Sequence, residues 1–298
     1  MSNGSRNRKR PRKDSTLPLI YCDQNALSTL EAQDANFKAR LYGRLQGNHF
    51  QFVFSSWHWV EMARNQSKSR ALQQAGFADS LNPHWLRDRL NIQSEEATEA
   101  LCLWLNVPFA RKASLTTRAG MIAELNRVPL QQAQGLTSSH FVNGWHGRAD
   151  LLKPLTLAHR QNESSFGWIL KNLRRIRKEK RRLDMALVSR LLPAATLRGI
   201  VINDPTRRSF VEQFDLGASN CKTLIVEQVI SEDGWSFWGR LRWQNFIDRM
   251  HLIPAMPHVE YFLTDDKRLQ KLIKRVKKEL RFPAAEPLNL EDFSSQYL

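Results

Sequence analysis

The chain has 298 residues, 42% hydrophobic and 25% charged, enough for one large domain or for a domain carrying a big insertion. Lysine and arginine number 45 against 29 acidic residues, a formal charge of +16 that favours a polyanionic partner and salt-dependent binding. No apolar run approaches the roughly 20 residues that span a bilayer, the basic N-terminus lacks the apolar stretch of a signal peptide, and the widely spaced Cys22, Cys102 and Cys221 form neither a disulfide framework nor a zinc pattern, so the expected setting is a reducing cytoplasm without a membrane.

Residues 1–16 are polar and basic, with Arg6, Arg8, Lys9, Arg10, Arg12 and Lys13 among Ser, Asn and Pro, and read as a disordered arm. Such an arm adds non-specific attraction to phosphate or, in a eukaryote, serves as a nuclear localisation signal. From Leu17 to Arg64 the pattern is strand, loop, helix, strand, helix. Phe37, Leu41 and Leu45 mark one apolar helix face, and Ser55 or Ser56 can cap the helix that carries Trp57, Val60, Glu61 and Arg64 on one side. Residues 65–242 read as mainly helical, with weak strand signals and breaks at Asn82-Pro83, Val107-Pro108, Val128-Pro129, Pro193 and Asp204-Pro205. Within this stretch Lys171 to Arg182 holds eight basic residues and one acid beside an apolar stripe of Leu170, Leu173, Ile176, Leu183 and Leu187, a basic amphipathic helix. From Trp243 the strand–helix alternation returns: a helix around Asp248 that stops near Pro254, a strand ending at Thr264, and a helix with Leu269, Leu272, Ile273, Val276 and Leu280 on one face. Lys267, Arg268, Lys271 and further basic residues form its other face. Pro287 to Leu290 suggests a last short strand, and Glu291-Asp292-Phe293 opens a closing helix. This order implies an α/β fold, a parallel sheet with flanking helices plus a large mainly helical insertion.

Four carboxylates fall at telling places. Asp23 ends the run Leu19-Ile20-Tyr21-Cys22, Glu61 lies on the helix after His49 to Phe54, Asp248 sits on its own helix, and Asp266 follows Val259 to Thr264. Parallel α/β sheets bind ligands at the carboxyl ends of their strands, so these acids are expected to converge. Such a cage of negative charge is tolerable at neutral pH when a divalent cation neutralises it, and hard oxygen ligands favour Mg²⁺ or Mn²⁺. Each acid also has a plainer role open to it. Asp23 can end a turn or cap a helix, Glu61 can answer a helix dipole, and Asp248 can pair with Arg249 at the surface. Asp265 is expected to cap the helix after it. His251, one turn after Asp248, can contact phosphate, pair with Asp248 or simply pack, and His58 reads as a packing histidine. No Gly-x-x-x-x-Gly-Lys-Ser/Thr loop and no Gly-x-Ser-x-Gly elbow occurs, which argues against a P-loop enzyme and a serine hydrolase.

Taken together, these segments resemble PIN-like nucleases. Tyr21-Cys22-Asp23-Gln24-Asn25-Ala26-Leu27 looks like the family's opening motif, an apolar strand ending in Asp-x-Asn. Glu61, 38 residues on, matches its second acid, Asp248-x-x-His251-Leu252 its third motif, and Phe262-Leu263-Thr264-Asp265-Asp266 its fourth, an apolar strand followed by Thr-x-Asp. Pro287 to Phe293 is similar to the family's ending. The resemblance covers residues 17–64 and 243–298 and departs from a compact PIN domain in the 186 residues between Glu61 and Asp248, residues 65–242 being the insertion. It implies a metal-dependent endoribonuclease. Asp23, Glu61, Asp248 and Asp266 would hold Mg²⁺ or Mn²⁺, with Asn25, Thr264, Asp265 and His251 around them. Cleavage would leave 5′-phosphate and 3′-hydroxyl ends. The expected partner is nucleic acid, RNA in the first instance, held by Lys171, Arg174, Arg175, Arg177, Lys178, Lys180, Arg181 and Arg182 and by Lys267, Arg268 and Lys271; an antitoxin or other protein partner is a further expectation. Cutting of DNA, and an RNA- or ribonucleoprotein-binding module that does not cut, are the alternatives.

Overall fold

A computed structural model describes residues 17–148, 203–237 and 243–298. The basic arm of residues 1–16 and the helix expected from Lys171 to Arg182 lie outside the described residues. Six strands form one sheet: β1 (Leu19–Cys22), β2 (Gln51–Ser55), β3 (His84–Leu86), β4 (Leu115–Thr116), β5 (Tyr261–Leu263) and β6 (Glu286–Leu288). Their spatial order is β4-β3-β2-β1-β5-β6, every neighbouring pair being parallel except β3–β4. The α/β expectation therefore holds, with a mostly parallel sheet.

The sheet is buried on both faces, as parallel sheets are, and side chains alternate along each strand. Ile20, Cys22, Phe52, Phe54 and Leu263 pack on one face; Tyr21, Val53 and Phe262 pack on the other. The first face is covered by α1 (Gln24–Ala32), α3 (Ser56–Ala63), α4 (Lys68–Ser80), α8 (Ser138–Trp145) and α13 (Leu290–Tyr297); α2 (Ala35–Gln46), α6 (Arg118–Asn126) and the single turn α7 (Leu130–Ala133) complete that side. The second is covered by α5 (Arg89–Trp104), α10 (Lys222–Phe237), α11 (Trp243–Ala255) and α12 (Lys267–Glu279), with α9 (Asp204–Gln213) packed outside α5. Leu269, Leu272, Ile273 and Val276 are buried as the helical period predicts, each such side chain contributing about 1.5–3 kcal/mol on removal from water.

Two features differ from the sequence expectation. Residues 24–32 form a helix rather than a loop, because the Asp23 side chain accepts from the Ala26 amide at 2.7 Å and caps it; Phe37, Leu41 and Leu45 belong to the next helix. The stretch after Glu61 is not separate from the sheet. Strands β3 and β4 lie within residues 65–242 and extend the sheet beyond β2, with Val53 paired to His84 and Leu86 to Leu115. They are three and two residues long, too short for a period to register.

Candidate active site

The chain runs from β1 outwards through β2 to β3, then returns on the other side of β1 as β5 and β6. That reversal is a topological switch point, and α/β sheets open a crevice at the carboxyl ends of the strands flanking it. Helix α1, leaving β1, packs on one face, whereas α12, leaving β5, packs on the other. Asp23 follows β1 and Asp266 follows β5, so both stand at this crevice.

Asp23, Glu61 and Asp248 line one small cleft together with Gln24, Asn25, His251, Phe262 and Leu269, an open space of about 10 Å³, room for roughly one water-sized occupant. Asp23 and Asp248 are each 7% exposed. Burial pushes the Asp23 carboxyl up to about 7; hydrogen bonds from Thr264 and the Ala26 amide oppose that shift, and the charges of Glu61 and Asp248 add to it. Asn25 is exposed at the cleft mouth.

Asp266 stands beside this cleft rather than among its lining residues. Its Oδ1 accepts from the amides of Arg268 at 2.7 Å and Leu269 at 3.1 Å, so Asp266 is the N-cap of α12. Asp265, expected in that role, instead accepts from the Leu290 amide at 3.0 Å and ties β5's end to α13. The backbone decides between the two adjacent acids: Thr264 is paired to β6 through its amide, and its Oγ1 accepts from the Asp266 amide at 3.1 Å, turning that residue toward the helix start.

His251 pairs with Glu61, not with Asp248 as its spacing suggests. Its Nε2 lies 2.7 Å from Glu61 Oε2, and its Nδ1 meets the Tyr21 hydroxyl, which lies 2.8 Å from Ser55 Oγ. Burial holds His251 down to about 3 and raises the Tyr21 phenol well above its usual value. Both groups are then neutral, and one proton arrangement satisfies the chain. Ser55 donates to Tyr21, Tyr21 to His251 Nδ1, and His251 Nε2–H to the Glu61 carboxylate. His58, also held near 3 by burial, serves the fold. Its Nε2 donates to the Cys22 carbonyl at 2.6 Å and its Nδ1 accepts from the Ser55 amide at 3.1 Å, fastening α3 to β1. Sequence reasoning places Tyr21 in a strand and Ser55 at a helix start and gives neither a part in the site. The available signal is a phenol inside an otherwise apolar strand that ends in an acid.

Asp248 takes its cation from α12, not from its neighbour in sequence. Arg268 Nη2 lies 3.1 Å from Asp248 Oδ2 and 3.9 Å from Asp266 Oδ2. Arg249 is pushed down to about 10 by burial and feels Glu227 and Arg89 instead.

Among the described residues, no group of three His, Cys, Asp or Glu side chains is assembled closely enough to hold a metal ion. The cleft's donor chemistry nonetheless suits a hard divalent cation. Its anionic donors are carboxylates on three separate segments, and one of them is buried at the expense of its own ionisation. Glu61 and Asp248 are instead engaged with His251 and Arg268. The described residues of 65–242 contribute nothing to the lining of this cleft; several of their acids, among them Asp79, Glu96 and Glu124, meet arginines elsewhere. No protein-family model, curated protein or solved structure matches the chain.

Proposed function

We propose that this chain is a metal-dependent nuclease acting on RNA, of the kind its motifs resemble. The observation that supports it best is the meeting of Asp23, Glu61 and Asp248 in one cleft at the sheet's switch point, with Asp266 at its edge. Acids drawn from residues 225 positions apart in the chain, and buried so that one resists ionisation, suit a cation site better than a structural role.

In this reading Asp23, Glu61, Asp248 and Asp266 hold Mg²⁺ or Mn²⁺. A bound divalent cation of this type supplies an activated water for in-line attack on phosphorus and offsets charge on the phosphoryl oxygens. The chain's own residues do the rest. His251 fixes the Glu61 carboxylate by donating from Nε2, with its tautomer set by Tyr21 and Ser55. Thr264 and the Ala26 amide orient Asp23. Helix α12 begins at the crevice and presents Lys267, Arg268 and Lys271 outward from its first turns, a basic face for the phosphate backbone. Water attack needs no 2′-hydroxyl, and with the P–O3′ bond breaking and O3′ leaving as the protonated hydroxyl the products carry 5′-phosphate and 3′-hydroxyl.

The test is cleavage of end-labelled single-stranded RNA, and of DNA of the same sequence, with Mg²⁺, Mn²⁺ or EDTA. The expected result is cleavage that requires metal and disappears in Asp23→Asn and Asp266→Asn. Equal cleavage by both variants, with contaminating nuclease excluded, would overturn it. A second reading, a nucleic-acid-binding module that does not cut, is favoured by the pairing of Asp248 with Arg268 and of Glu61 with His251, which leaves those acids engaged without metal. Mn²⁺ binding by the wild type would count against it.

A further inference from the structure

Arg268 occupies an unusual position. A single guanidinium nitrogen, Nη2, reaches Asp248 Oδ2 at 3.1 Å and Asp266 Oδ2 at 3.9 Å, joining acids from α11 and from the end of β5. Its charge offsets two carboxylates from separate elements, the part a bound divalent cation would otherwise play. An exposed ion pair contributes little, but the Asp248 side chain is only 9% exposed, so this pair reaches into the cleft. Arg268 itself is 42% exposed and sits in the first turn of α12, beside Lys267 and Lys271 on the basic face. One end of its reach is therefore the acid cleft and the other is solvent, where a phosphodiester would lie.

We propose that Arg268 is a built-in counter-ion that exchanges partners: it holds Asp248 and Asp266 in the metal-free protein, releases them to a divalent cation, and then turns its guanidinium to the phosphate of the nucleic acid. This rests on the nuclease reading and adds a coupling to it. A bidentate guanidinium suits both partners, carboxylate and phosphate. Because it cannot serve both fully at once, whatever draws Arg268 away from Asp248 favours the cation. By linkage, nucleic acid raises the affinity for metal and metal raises the affinity for nucleic acid by the same factor.

Binding of Mn²⁺ alone, followed by titration calorimetry and by the electron spin resonance signal of the free ion, tests this without any turnover. Arg268→Gln removes the competitor while keeping a polar, helix-compatible side chain. Lys274→Gln removes one positive charge from the exposed face of the same helix without touching Asp248 and controls for general electrostatics. The expected result is Mn²⁺ bound about tenfold more tightly by Arg268→Gln and within about twofold of wild type by Lys274→Gln. Adding a short single-stranded oligonucleotide of non-hydrolysable backbone should tighten Mn²⁺ binding by a larger factor in the wild type than in Arg268→Gln, and an equal factor in both overturns the exchange. Circular dichroism and thermal melting establish that the variants are folded; an unfolded Arg268→Gln is replaced by Arg268→Met, read the same way. Mn²⁺ bound by the wild type, with equal or weaker binding by Arg268→Gln, overturns the exchange and leaves the nuclease reading standing. No Mn²⁺ binding by any variant overturns both.

Discussion

Two groups of buried acids in this molecule are built on opposite plans. On α5, Glu95 and Glu96 are fully buried, and cations come to them: Arg87 lies 3.6 Å from Glu95, and Arg111 lies 3.1 Å from Glu96. Glu96 also accepts from the amides of Thr223 at 3.0 Å and Leu224 at 3.3 Å, closing the start of α10. Burial still raises its carboxyl, but each oxygen has a donor. In the cleft, Asp23 is buried beside other acids, Glu61 accepts from a neutral histidine and feels the charge of Arg64, and Asp248 draws on an arginine that is 42% exposed. The first plan stabilises a fold, since a buried charge is tolerated when its lone pairs are satisfied. The second gathers acids whose charges together resist the ionisation of Asp23, an arrangement that suits a cation in the proposed reading.

The largest expected difference is in catalysis. Asp23 and Asp266 both cap helices, and Asn caps as well as Asp. Asp23→Asn and Asp266→Asn therefore keep the cap and remove a ligand charge. Metal-dependent RNA cleavage should fall by at least about 100-fold, roughly 2.7 kcal/mol of barrier, with the circular dichroism spectrum unchanged. Substituting the other group should do the reverse. Glu96→Ala strips two amides and Arg111 of their acceptor and should cost about 3 kcal/mol in urea denaturation, whereas Asp23→Asn should not destabilise the apo protein. Loss of stability in both, by similar amounts, would erase the distinction.

A pH titration of stability sharpens it further. Asp23 holds its proton up to about 7 in the folded state against an ordinary value of 3.8. The native state then binds more protons than the unfolded chain between those values, so this group's contribution falls as pH rises through the window. In EDTA, the wild type should lose ground to Asp23→Asn on going from pH 4 to pH 7, with the gap levelling off above. His58 and His251, held near 3, act in the opposite sense. They remain neutral where the unfolded chain is protonated, so their contribution is lost as pH falls from about 6.5 toward 3. They are present in both proteins and cancel in the difference. A flat difference curve would mean that Asp23 is ordinary.

The smallest effects belong to the basic surfaces. Lys267→Gln with Lys271→Gln should weaken RNA binding similarly across sequences and flatten its salt dependence by about 0.7 log–log units per lost contact on a single strand. The same substitutions at Arg174, Arg175, Arg181 and Arg182 should do so for the helix expected there from the sequence. An unchanged salt slope in either set would make that face solvated surface or a protein interface.

Much of the architecture is legible in residue order. The apolar runs Leu19–Cys22 and Tyr261–Leu263 make strands because every residue in them is buried or nearly so, and the stripe Leu269, Leu272, Ile273, Val276 makes a helix because its period matches one buried face. Those are local regularities, and local patterns survive in a string of letters. Helix α1 is not legible in the same way, because its start depends on an Asp23 side chain that could equally end a turn. Strands β3 and β4 are not legible as part of the sheet, because two or three residues become a strand only beside one that already exists.

At the site, the sequence by itself determined which acids end strands and so which can share a crevice; Asp23 and Asp266 needed nothing more than the parallel order implied by strand–helix alternation. Only the tertiary structure decided their partners. Glu61 and His251 are 190 residues apart and Asp248 and Arg268 are 20 apart, yet each pair closes to about 3 Å, while the neighbours Asp248 and Arg249 turn to different clusters. A helix sends adjacent residues to different faces, and which face meets which cation is set by the packing of whole elements against the sheet. Charge pairing is a property of three-dimensional distance, falling off over a few ångströms, and sequence separation carries almost none of that information.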